Sequence, residues 1–180
     1  MASEKPLMAG VKYGLLAGLI YIVLLLLQYT FPSESPIAFA GIKLVIYLII
    51  IGVFVFAAIA RKKELGGYAD FKTVFQTIFI TIVITEVLYA AFNYIYLNYI
   101  DPQFLDTVTN NTITWLEKKG LPQEQLDKQI ETMKERSVKP SLRNTFVGIG
   151  IWVIIDSIFG LIIAAIVKKN KPLFDGSTNQ

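Results

Sequence analysis

Apolar residues in this chain neither alternate nor recur as a narrow stripe. They run continuously in four blocks, parted by two short polar connections and one long polar segment. The blocks cover residues 11–31, 37–60, 71–99 and 144–167, the last unbroken from Phe146. Each approaches or exceeds the ~20 residues a helix needs to cross the hydrocarbon core of a bilayer. The pattern predicts an all-α polytopic membrane protein with four transmembrane helices. At this length the spans leave no room for a separate soluble unit, so residues 1–171 read as a single four-span domain and 172–180 as a disordered polar tail.

The connections carry turn chemistry. Residues 31–36, rich in Ser and Pro, separate the first two spans, and Gly66-Gly67 makes the turn between the second and third. Asp70 stands at the N-cap position of the third span. That span, the longest of the four, runs from Phe71 to Tyr99 and is long enough to tilt or to emerge from the bilayer. Tyr89, Tyr94, Tyr96 and Tyr99 crowd its far end and read as an interfacial aromatic belt. The first span carries Gly10, Gly14 and Gly18, a small-xxx-small ridge that lets helix backbones approach closely in lipid. This ridge is expected to pack on another span of the same chain, or to form a homodimer.

The long polar segment, 101–139, predicts an extracytoplasmic amphipathic helical hairpin between spans three and four. Asp101 and Pro102 open its first helix and Gly120 ends it. Pro122 restarts the chain, and Leu126, Ile130 and Met133 form an i, i+4, i+7 stripe. Such stripes pack on each other or lie on the membrane surface, and a partner-binding role is the alternative.

Charge sets the expected orientation. Lys5, Lys12, Arg61, Lys62, Lys63, Lys72, Lys168, Lys169 and Lys171 fall on the side of the termini, nine bases in all. The other side has eight, Lys43 and seven in the long segment, where seven acids match them. Because Arg61-Lys62-Lys63 and Lys168-Lys169 abut helix ends, both termini are expected in the cytoplasm. Lys43 is expected to snorkel to the opposite interface. The net charge of +3 is explained by these flanking bases and their contact with anionic headgroups, and gives no reason to invoke nucleic acid. Lys5, Lys12 and Ala38-Phe39-Ala40 mimic a cleaved signal sequence, but the first run is longer than a typical signal core and cleavage would cut into the second span; an uncleaved helix is expected.

Composition agrees: 54% of residues are hydrophobic and mean hydropathy is +0.53. The chain has no Cys and no His. That removes thiolate chemistry, disulfides, most zinc and iron sites, and the side chain most used as a general base. No cofactor is expected, and the chain does not read as an enzyme; Ser157 has no visible base.

The order of short strings resembles a known family. Lys12-Tyr13-Gly14 opens a Leu/Ile-rich span, Gly66-Gly67-Tyr68 precedes an aromatic start to the third, residues 99–105 read Tyr-Ile-Asp-Pro-Gln-Phe-Leu, a charged helical pair follows, and lysines close the last span. The chain thus resembles the small four-span bacterial membrane proteins grouped as domain of unknown function 4199 (DUF4199). The resemblance implies an uncharacterised inner-membrane protein and supplies no active residues.

Two acids interrupt the apolar blocks. Glu86 is about as far along the third span from Val74 as Asp156 is along the fourth from Val167. With a rise of about 1.5 Å per residue, both acids sit at one depth near mid-membrane. A charge there costs at least ~2.5 kcal/mol on insertion scales. At about 100° per residue Gln76, Glu86, Tyr89, Asn93 and Tyr96 share one face of the third span, while Thr73, Thr77, Thr81 and Thr85 follow the opposite side. Asp156, Ser157, Gly160 and Ala164 make a small, polar side on the fourth. In the structural reading both acids are neutral and bond Tyr, Asn or Ser across the bundle. In the functional reading they form a proton or cation site. Two functions follow: a non-catalytic envelope accessory or interaction protein acting through its outer hairpin, or a small oligomeric proton- or cation-coupled transporter using Glu86 and Asp156.

Overall fold

The computed structural model describes residues 4–31, 35–120, 123–136 and 139–171. The described residues form six α-helices: α1 (Glu4–Thr30), α2 (Pro36–Glu64), α3 (Phe71–Ile95), α4 (Phe104–Lys118), α5 (Gln123–Arg136) and α6 (Leu142–Val167). There is no β-strand among the described residues. Four helical stretches, Leu7–Thr30, Pro36–Glu64, Phe71–Ile100 and Leu142–Val167, are long and apolar enough to cross a membrane. Their outward surface is apolar: Leu19 is 61% exposed, Ile154 66% and Ile166 77%. An apolar surface of this extent is one that lipid or another protein covers.

Helix ends follow local chemistry. Ser35 Oγ accepts from the Ala38 amide at 3.4 Å, with Pro36 at the first helical position of α2. Ser141 Oγ accepts from the Asn144 amide at 3.2 Å and opens α6. Gly66 and Gly67, at φ 76° and 89°, turn the chain from α2 into α3 in a conformation that side chains resist. Backbone hydrogen bonds between Ala69 and Lys169, 2.9 and 2.8 Å, tie that turn to the end of α6. The α2–α3 turn and the end of α6 therefore share one end of the bundle, the lysine-rich end.

Helix α3 is the hub, touching α1, α2 and α6. The Gly10, Gly14 and Gly18 ridge of α1 lies directly on it. A Cβ built on Gly10 would stand 2.7 Å from Ile80 Cβ, and one on Gly14 2.7 Å from Ile84 Cβ. The threonine row of α3 occupies this seam. The Thr81 hydroxyl lies 2.9 Å from the Thr77 carbonyl and 3.2 Å from that of Gly10; the Thr85 hydroxyl lies 2.8 Å from the Thr81 carbonyl. A hydroxyl that can fall back on its own helix leaves no orphan donor in a dry seam. On the other flank, Gly160 of α6 brings that helix against Ile78 and Ile82 of α3.

Several details differ from the sequence reading. Helix α1 starts at Glu4, ahead of the first apolar block, with Pro6 in its first turn and Gly10 against Ile80 of α3. The long third span ends in a π-helical turn, Tyr96–Ile100, rather than continuing as α-helix. The tyrosines near it are not a uniform interfacial belt. Tyr96 is buried, its ring 4.9 Å from that of Tyr29 and 6.1 Å from that of Phe104, while Tyr99 is exposed. Asp101 does not cap α4 directly. Its carboxylate accepts from the Gln103 amide at 3.2 Å, and the helix begins at Phe104, whose buried ring seals this end of the bundle. Gly120, at φ 69°, ends α4 in the left-handed region. Helix α5 rests mainly on α4. Pro122, Pro32 and residues 172–180, read above as a restart, a turn and a disordered tail, lie outside the described residues.

Candidate functional site

The two mid-depth acids face each other across the α3–α6 contact. Glu86 is 4% exposed and Asp156 1%. Helix α3 presents Glu86 opposite its threonine row, so the seam that fixes α3 against α1 also aims the acid toward α6. Gly160, one turn beyond Asp156, lets the two helices close enough for the carboxyls to meet.

Asp156 has one fixed donor. The Tyr47 hydroxyl, from α2, donates to Asp156 Oδ1 at 2.6 Å. Asp156 Oδ2 is buried and meets no side-chain donor. The Glu86 carboxyl neighbours that of Asp156. Two carboxylates cannot bond each other, because both only accept. A proton held by either acid would let the two carboxyls bond.

Two cavities meet at Glu86. One, of about 180 Å³, runs along α3 and α6 from Glu86 past Asn93 and Asn144 to Pro140, at the end of the bundle opposite the lysines. The other, of about 240 Å³, lies between α1, α2, α3 and α6 and is lined by Tyr21, Lys43, Tyr47, Glu86, Tyr89 and Trp152, among others. Glu86, Tyr89 and Trp152 belong to both. Toward the lysine-rich end the interior is tightly packed apolar side chains: Val74, Ile78, Ile82 and Phe54 are fully buried. Glu86 is thus the floor of a vestibule that runs toward the Pro140 end, with Asp156 buried beside it.

The residues singled out from sequence fall into three groups. Glu86, Asp156, Tyr89 and Asn93 come together around the vestibule. Tyr89 stacks on Tyr21 of α1 (ring centroids 4.7 Å, planes 19° apart), and Asn93 Oδ1 accepts from the Tyr29 hydroxyl at 2.7 Å, so both are held by α1. Gln76 is exposed, nearly three turns of helix from Glu86, and lines neither cavity. Ser157 donates to the Val153 carbonyl of its own helix and does not reach the acids. Gly10, Gly14, Gly18 and Gly160 lie at helix–helix contacts.

Sequence reasoning missed Tyr47, Tyr21 and the inward share of Lys43. A signal for Tyr47 existed: it carries the one hydrogen-bonding side chain between residues 44 and 60. Snorkelling alone, the expectation for Lys43, leaves no intramembrane cation for the acids. Lys43 is indeed exposed, yet it borders the cavity that reaches Glu86, one helical turn from Tyr47. Gln28 was also missed; it is 5% exposed and its amide donates to the Phe39 carbonyl at 2.9 Å, clamping α1 to α2.

No curated protein matches this chain, and no solved structure does. A family match does cover most of its length, residues 12–169, from the Lys12-Tyr13-Gly14 opening to the lysines that close α6. The chain therefore belongs to the family described as "Protein of unknown function (DUF4199)".

Proposed function

We propose that this protein is a non-catalytic, multi-pass protein of the bacterial inner membrane that takes up a proton, or a cation in its place, at the Glu86–Asp156 pair. The one observation that carries this reading is a pair of neighbouring buried acids, one of which, Glu86, lines a cavity running to Asn144 and Pro140. An intramembrane ionisable residue facing a polar cavity is costly unless it is used. A pair whose acids share a proton changes charge when that proton leaves, and Tyr47 supplies a fixed donor to the resulting anion. The vestibule mouth, at Pro140 and Asn144, is on the periplasmic side in this reading, since the lysine-rich end is cytoplasmic by the positive-inside rule. Transport needs a second opening toward the lysines. A four-span chain would enclose such a path as an oligomer, with proton release following a tilt of α6 on α3 at Gly160.

The test is a proteoliposome assay with an imposed pH gradient and an internal pH-sensitive dye. Wild type should dissipate the gradient faster than empty vesicles, with Glu86→Gln and Asp156→Asn reduced to the empty-vesicle rate. Equal rates in wild type and both variants, with all three correctly folded, would refute coupling to proton movement.

A second reading, an envelope accessory protein, is favoured by one feature. Helix α5 is held mainly by α4, leaving most of its charged surface open. Replacing exposed α5 residues such as Glu131 would then abolish a cellular phenotype that neutralising Glu86 leaves intact.

A further inference from the structure

At the lysine-rich end, Arg61 poses a problem that the carboxyl pair does not address. It ends α2, yet it is only 2% exposed. Its Nη1 donates to Glu64 Oε2 at 3.2 Å, but Glu64 is itself half in solvent, and Arg61 Nε is buried with no partner. A buried guanidinium with an unused N–H is expensive unless an acceptor arrives.

Arg61 borders two cavities. The one against α1, about 470 Å³, holds the Glu64 carboxylate in its wall together with Lys12. The other, about 420 Å³, lies at the backbone pairing of Ala69 with Lys169 and is lined by Arg61, Tyr68, Thr73, Lys169, Asn170 and Lys171, with Asp70 the one acid among the described lining residues. Three bases against one acid make this second cavity electropositive. Its frame is built: Ala69 and Lys169 pair through two backbone hydrogen bonds in its wall, and the Lys169 ammonium sits 5.1 Å from the centroid of the Tyr68 ring. The size is that of a small-molecule site. Guanidinium, two ammoniums and a hydroxyl around one concave wall are the donor set that recognises a phosphate oxyanion.

We infer that Arg61, Lys169 and Lys171 form a phosphate-binding site at the lysine-rich end of the bundle, filled by the phosphate of an anionic lipid headgroup. The site lies where the α2 and α6 spans end, so a headgroup reaches it from the adjoining leaflet with its acyl chains still in the bilayer. The α2 C-terminus disfavours an anion, and the three bases outweigh that.

The experiment is native mass spectrometry and thermal unfolding of the full chain in detergent, titrated separately with phosphatidylglycerol, phosphatidylcholine and inorganic phosphate. Phosphatidylglycerol should bind and raise Tm, and phosphatidylcholine, whose phosphate is shielded by its own cation, should do so far less. Lys169→Gln/Lys171→Gln, two exposed changes that leave the core untouched, should weaken phosphatidylglycerol binding about tenfold, about 1.4 kcal/mol. Arg61→Gln should do at least as much if it folds. The control is Lys62→Gln/Lys63→Gln, the same charge loss outside the cavity, which should cost little. Equal losses in the cavity and control pairs would mean diffuse headgroup attraction and overturn the site, as would a cavity pair that binds like wild type. Saturation by inorganic phosphate alone, with the same dependence on Lys169 and Lys171, would keep the phosphate site and overturn the lipid as its source.

Discussion

Replacing Tyr47 by Phe isolates one hydroxyl at the centre of the proposed site. The Phe ring keeps the edge contacts with Trp152 and Phe159, at 6.1 and 6.2 Å, so only the bond to Asp156 is lost. In soluble proteins a hydrogen bond to a charged group contributes about 1.5–3 kcal/mol. Between membrane helices the average is ~0.6 and the maximum ~1.7 kcal/mol, because the unfolded chain in lipid also finds partners. The membrane range applies here, and the structure argues for its upper end. The bond is 2.6 Å long, Asp156 is 1% exposed, and its second oxygen has no fixed donor, so nothing nearby replaces the lost one. The expected cost is about 1.5 kcal/mol. Reversible unfolding in mixed detergent micelles measures it, and a cycle with Asp156→Ala apportions it. The coupling between the two changes should be about 1–1.5 kcal/mol. If the changes add to within about 0.3–0.5 kcal/mol, as independent sites do, the Tyr47–Asp156 bond is not a structural element and the vestibule floor has been misassigned.

Other expectations test neighbouring parts of the bundle. Gly14→Ala puts a methyl 2.7 Å from Ile84 Cβ and 3.1 Å from the Thr81 carbonyl; overpacking of ~1–3 kcal/mol against ~1 kcal/mol of helix gain leaves a net loss of up to about 2 kcal/mol. Gly52→Ala enters open space and should be neutral or stabilising, so equal unfolding midpoints for the two variants would contradict the α1–α3 contact. Tyr29→Phe removes the donor to Asn93 and should widen the vestibule mouth, read as faster solvent exchange at Asn93 by NMR; unchanged exchange would count against α1 holding that side chain. Outside the membrane, Thr73 beside Asp70 holds that carboxyl below its usual range. A lowered acid stabilises the fold above its unfolded-state value of ~3.9 and loses that contribution as pH falls through the folded value. Asp70→Asn should therefore be less stable than wild type at neutral pH, with the gap closing as pH falls through the folded value; a gap independent of pH would show that the charge is not involved.

Much of this architecture is local, and local features are legible in a sequence. Block length gives four membrane-spanning helices because the helical rise per residue and the bilayer thickness are both fixed. Gly66, Gly67 and Gly120 mark turns because left-handed backbone disfavours any other residue. Helical periodicity placed Glu86 and the threonine row on opposite sides of α3, and equal depth along two antiparallel spans brought Glu86 and Asp156 to one level. What the sequence could not fix is which helix each face meets. In lipid the hydrophobic effect does not drive helices together, so pairing depends on close packing at specific seams. The ridge of Gly10, Gly14 and Gly18 announced a close approach, and only the bundle decided that α3 fills it. Likewise Tyr47 stands 109 residues from Asp156, and no spacing rule links a tyrosine in α2 to an acid in α6. Gln76, on the predicted polar face, turned outward, while Tyr96, predicted at the interface, turned in. The burial of Arg61 was equally invisible, since a basic residue at a helix end ordinarily faces water. The sequence determined which groups exist, on which helix face and at what depth. The tertiary structure decided which of them meet, because rotation and pairing of rigid helices are set by packing between segments far apart in the chain.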